Sequence, residues 1–62
     1  MKVTVENIYS DSKQTFSGQP EQIRNQLNAA FPFLARYKNA SLQEDLTRLG
    51  QQQAFMLSVE NE

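Results

Sequence analysis

Three groupings in this chain carry side chains that could do chemistry: Ser12-Lys13, Glu44-Asp45 and Arg36-Tyr37-Lys38. A serine beside a lysine can make a nucleophile and its base, but chain neighbours in a turn do not aim at a common point. A carboxylate pair can exchange protons with a substrate. Glu44-Asp45, however, follows Ser41 into the first turn of a helix, where acids are favoured by the helix dipole. The chain has no His and no Cys, which removes the commonest general base near neutral pH, thiolate ligands, disulfides and redox motifs. Its two glycines, Gly18 and Gly50, fall at helix boundaries, so no glycine loop is left to cradle a phosphate. The residues argue against an enzyme and call for no cofactor. Oxygen ligands for a metal come only from Glu44, Asp45, Glu60 and Glu62, whose spacing matches no calcium loop; solvated charge accounts for them better.

Arg36-Tyr37-Lys38 places an aromatic ring between two cations, an arrangement that can stack a base while holding phosphate, and Arg24 joins it if it lies on the same side. Against this stands a formal charge of −1, from six basic and seven acidic residues spread along the chain. Nucleic-acid modules usually carry a net basic patch. Nucleic acid is therefore the alternative ligand and an unfavoured one, and the even charge offers no attraction to anionic membrane either.

The cluster Phe31-Pro32-Phe33-Leu34 points to a protein partner instead. On a helix Phe31 and Phe33 point about 200° apart, so one element does not easily bury both. Either one ring fills the core while the other caps it from the side, or one ring stays exposed and marks an interface, where aromatics are enriched. Ile8 and Met56, on the outer face of the sheet by strand alternation, could extend such a patch. Phe31, Phe33, Met56 and Ile8 are thus the candidate partner-binding residues.

The elements that must position these residues are sharply punctuated. Lys2 to Tyr9 reads as a strand in which Val3 and Val5 alternate with Lys2, Thr4 and Glu6; the alternation fails at Asn7, where a bulge near Glu6-Asn7 would account for it. Ser10 to Lys13 reads as a turn, and Gln14 to Ser17 as a short second strand carrying Phe16. Gly18-Gln19-Pro20-Glu21 opens a helix, because proline at N1 needs no N–H. Its stripe is Ile23, Leu27, Ala30 and Phe31, and Pro32 ends it. Pro32 starts a short turn through Tyr37. Ser41 and Glu44 form a capping box for a helix over about 42–50, with stripe Leu42, Leu46 and Leu49 and with Gly50 as its C′ residue. Ala54 to Glu60 alternates cleanly as a third strand.

The expected fold is therefore α+β and two-layered, a three-stranded sheet with helices on one face in the order β-β-α-α-β. One domain spans 1–62. The favoured strand order is 2-1-3; if every connection reverses the chain, the third strand runs parallel to the first. Val3, Val5, Phe16, Ile23, Leu27, Leu34, Leu46, Leu49, Phe55, Leu57 and Val59 are the expected core. The third strand leaves an unpaired edge that could extend the sheet across a homodimer. The longest apolar run considered, Ala54-Phe55-Met56-Leu57, is far short of the roughly 20 residues of a membrane span. The N-terminus lacks the apolar centre of a signal peptide, so a cytoplasmic location is expected. Asn39-Ala40-Ser41 matches a glycosylation sequon, but Ser41 is better explained as a cap.

The run Gly18-Gln19-Pro20-Glu21-Gln22-Ile23-Arg24 through Phe31-Pro32-Phe33-Leu34, followed by Ser41-Leu42-Gln43-Glu44-Asp45-Leu46, resembles short uncharacterised proteins of cyanobacteria. The resemblance implies an intracellular bacterial protein and brings with it no activity, cofactor or functional residue. The first half is also similar to the hairpin-then-helix opening of β-grasp domains. The chain departs from that class after Ala30, where a second helix replaces the expected strands, and Val59-Glu60-Asn61-Glu62 lacks the terminal Gly-Gly of β-grasp carriers. The expected function is a small binding or regulatory module without catalytic activity, engaging a protein or a second copy of itself.

Overall fold

Alternation of Val3 and Val5 with polar neighbours makes the first strand, β1 (Lys2–Asn7), and the rest of the chain is built around it in a computed structural model that describes residues 1–61. There follow β2 (Ser12–Ser17), α1 (Pro20–Ala30), a 3-10 turn (Pro32–Arg36), α2 (Leu42–Gly50) and β3 (Phe55–Glu60). The fold is α+β, with a three-stranded sheet in the order β2-β1-β3. Val3, Val5 and Phe16 face Ile23, Leu27, Leu34, Leu42 and Leu49 across one buried layer. Lys2, Thr4 and Glu6 lie on the opposite, uncovered face.

β1 ends at Asn7, two residues short of the expected Tyr9, and it carries no bulge. Its register against β2 runs unbroken from Lys2↔Ser17 to Asn7↔Ser12. Asn7 occupies an inward position because its Oδ1 accepts hydrogen bonds from the N–H groups of Tyr9 and Ser10, at 2.9 and 3.2 Å. This side-chain turn stops the strand and starts the hairpin. Ser12 and Lys13 belong to β2 rather than to the turn, so their side chains leave on opposite sheet faces.

β3 runs antiparallel to β1, not parallel, pairing Asn7↔Phe55 through Lys2↔Glu60. The chain therefore reverses an odd number of times between β1 and β3, where one reversal per expected connection gives an even number. The short 3-10 turn, with the Tyr37 carbonyl bonded to Arg24 of α1, is the element which that count left out.

Both helix starts behave as the residues dictate. Ser41 Oγ accepts from the Glu44 N–H while Glu44 Oε1 accepts from the Ser41 N–H, both at 3.2 Å, a reciprocal cap. In α1 the Gln22 side chain accepts from the Gln19 N–H at 2.8 Å. Gly18, at φ +128°, supports this start: a Cβ there would lie 2.5 Å from Gln22 Oε1. Gly50 is not the C′ residue. It closes α2 itself, Gln51 continues in right-handed geometry at φ −70°, and the left-handed turn falls on Gln53 at φ 60°.

The core is smaller than expected on the β3 side. Leu46, Phe55 and Leu57 are only partly buried, and Val59 is 45% exposed. The helices cover this edge strand only in part, and among the described residues β3 has no further strand beside it. Ala40, Leu42 and the charged Asp45 are buried in addition to the expected residues.

Candidate functional site

The partner candidates fall into two places. Phe31, held at the junction of α1 and the 3-10 turn by its N–H bond to the Leu27 carbonyl, sends its ring against the core edge. It meets Phe55 edge-on at 5.2 Å between centroids and Phe33 at 6.5 Å. Both distances suit the favourable edge-to-face geometry of aromatic pairs. Phe31 is half-buried, and Phe33, at the end of this row of rings, is 36% exposed. Beside the row a recess of about 160 Å³ opens between Phe31, Phe55, Asn7 and Gln14. One ring thus caps the core and the other stands at the surface.

Met56 lies elsewhere. Its neighbours Phe55 and Leu57 point toward the helices, so Met56 points to the uncovered sheet face, where it is 62% exposed beside Glu6. It shares a recess of about 330 Å³ with Lys2, Thr4, Lys13 and Thr15. Ile8, 46% exposed, follows the end of β1 and donates its N–H to the Ala54 carbonyl at 2.9 Å. The sheet itself separates Met56 from Phe31 and Phe33, so the four residues do not form one patch. What joins the two places is β3, which carries Phe55, Leu57 and Val59 toward one face and Met56 toward the other. Val59, expected in the core, is the surface residue that the alternation pattern could not reveal, since alternation gives the face of a strand and not whether that face is covered.

Of the four basic-aromatic candidates the structure brings Arg24, Tyr37 and Lys38 to one recess, and Arg24 and Tyr37 are already engaged. Arg24 Nε donates to Asp45 Oδ2 at 2.8 Å, and its Nη2 donates to the Tyr37 carbonyl at 3.1 Å. The Arg48 guanidinium lies over the Tyr37 ring, 3.6 Å from its centroid, a cation–π contact that occupies one stacking face. Arg48 also faces Asp45 Oδ1 at 3.7 Å, too far for a hydrogen bond. Arg36 and Lys38 are exposed. Sequence reasoning missed Arg48 and the burial of Asp45. The spacing of Arg48 from Glu44 and Asp45 was a visible signal, whereas the reach of Arg24 across 21 residues was not.

Among the described residues no group of three or more acidic side chains could hold a metal ion. Glu44 caps α2, Asp45 is held by Arg24 and Glu60 lies near Lys2 at 3.8 Å; Glu62 lies outside the described residues. No helix among them is long and apolar enough to cross a membrane. No protein-family model, curated protein or solved structure matches the chain.

Proposed function

We propose that this chain is a small, non-catalytic binding module that engages another polypeptide through the apolar surface around β3 and the Phe31-Phe33 row, inside a bacterial cell. The observation that carries this reading is the exposure of Phe33, Met56, Ile8 and Val59 in a chain of 62 residues. Core material is scarce at this size, where a single core supplies only ~3–5 kcal/mol. Large apolar side chains left outside are available for burial against a partner. The nucleic-acid reading has less behind it, because Arg24 and one face of the Tyr37 ring are occupied by contacts within the protein.

The test compares proteins captured by the parent chain with those captured by Phe33→Ser and by Met56→Ser, at low and at high salt. An apolar interface keeps its partner as salt rises and loses it in at least one variant. Capture that fades steeply with salt points to phosphate contacts instead. Identical capture by parent and both variants would remove these residues from any partner surface.

A further inference from the structure

We propose that the partner is a second copy of this chain, docked edge to edge along β3 in antiparallel register with Leu57 on the twofold axis. The proposal rests on reading β3 as a partner surface and goes further by fixing the occupant and the register.

The direction of the backbone groups follows from one hydrogen bond. Ile8 N–H donates to the Ala54 carbonyl, and the register pairs these residues in continuation of Asn7↔Phe55. Facing residues in an antiparallel ladder alternate between bonded and non-bonded pairs. Glu6↔Met56, Thr4↔Ser58 and Lys2↔Glu60 are therefore the bonded pairs. The N–H and C=O groups of Phe55, Leu57 and Val59 point away from β1, into the open edge. The bond from Gly18 N–H to the Met1 carbonyl confirms the alternation on the other side of β1, where the odd-numbered residues serve β2.

The two outer edges differ. On β2 the outward groups belong to Lys13, Thr15 and Ser17, and the Ser17 carbonyl is taken by Gln26 Nε2 at 3.2 Å. Apart from Phe16 every β2 side chain is polar and exposed. Among the described residues β3 has no such cover, and it has no proline; both are usual devices against edge pairing. Its three outward-bonding residues, Phe55, Leu57 and Val59, are also its apolar residues on the helix side, each incompletely buried.

A twofold axis at Leu57 makes this edge complementary to itself. Leu57 faces Leu57 of the second copy, Phe55 faces its Val59, and these pairs exchange backbone bonds. One row then continues the apolar layer across the seam. Glu60 falls opposite Ala54, so no like charges meet. A hydrophobic strand edge of this length makes a small interface, below the ~1,200 Å² typical of tight complexes, and the dimer is expected to be concentration-dependent.

Sedimentation equilibrium on the full chain over rising concentration should show a monomer becoming a dimer. Val59→Pro removes an outward N–H that β1 does not use, so it should keep the parent circular dichroism and weaken dimerisation on the order of tenfold. Ser58→Pro, which removes a bond to β1, should disturb the fold instead. The register has its own readout in a chain without cysteine. Met56 and Ser58 of the second copy would form a non-bonded pair with Cα atoms about 4.5 Å apart, close enough for a disulfide. Mixing Met56→Cys and Ser58→Cys proteins under oxidation should give more mixed than self-linked dimer. A monomer at every concentration, a dimer indifferent to Val59→Pro, or self-linked Met56→Cys in excess would each overturn the proposal. If Val59→Pro does not fold, the cross-linking result decides. A strictly monomeric chain that still captures a different protein through Phe33 or Met56 removes the dimer and leaves the binding module standing.

Discussion

Arg24 in α1 and Asp45 in α2 form a hydrogen-bonded ion pair at 2.8 Å in which the carboxylate is wholly shielded from water. The two helices are latched by this pair as well as by their apolar contacts. A buried carboxylate is tolerated only while a cation compensates it. Arg48 faces the other carboxylate oxygen at 3.7 Å, an ion pair without a hydrogen bond.

Arg24→Met should therefore destabilise the fold by up to about 3 kcal/mol, since it leaves the charge of Asp45 with only the longer Arg48 ion pair. Arg24→Met combined with Asp45→Leu should recover most of that loss, because an apolar pair of similar volume often replaces a buried ion pair at little cost. Urea unfolding of both variants measures the difference. Equal losses in the single and double variants would contradict the penalty assigned to the unpaired Asp45.

Leu27→Ala should cost roughly 2–5 kcal/mol, the range for truncating a fully buried leucine. That approaches the whole stability of a domain this small. Thermal unfolding should find the variant largely unfolded at ordinary temperature, and a parent-like melt would contradict the burial of the α1 stripe.

Ser41→Ala removes the side-chain oxygen that accepts from Glu44 and should cost about 0.5–2 kcal/mol. Gly18→Ala should cost about 1 kcal/mol or more, because a side chain is strained at φ +128° and its Cβ would displace the Gln22 oxygen bonded to Gln19. Helical circular dichroism through the urea transition reports both, and a Gly18→Ala protein as stable as the parent would remove the role assigned to that glycine.

Much of this fold was legible because its signals are local. Ser41 and Glu44 announce their helix within one turn, Ile23 and Leu27 mark a face by spacing, and Val3 and Val5 mark another. The direction of β3 was not legible, because it depends on how far the chain doubles back after Pro32, a matter of tertiary packing. Asp45 was read as an ordinary first-turn acid, a local explanation sufficient in itself, so nothing pointed to the distant Arg24. Asn7 looked like a fault in a strand and is the device that ends it. Of the candidate surface, the aromatic crowding at Phe31 and Phe33 could be read from sequence, while the exposure of Val59 depends on how much of β3 the helices cover.

The hydrogen bond from Gln26 to the Ser17 carbonyl would acquire a different meaning in the proposed dimer along β3. Each half then presents only β2 at its far side, a polar strand with Lys13 on its rim and one terminal carbonyl already taken by α1. Growth stops there. A sheet open at both ends would add copies without limit and lengthen into fibres, whereas one receptive edge per molecule yields a closed pair. In such a dimer a single glutamine on the first helix would help to set how many chains the assembly can hold.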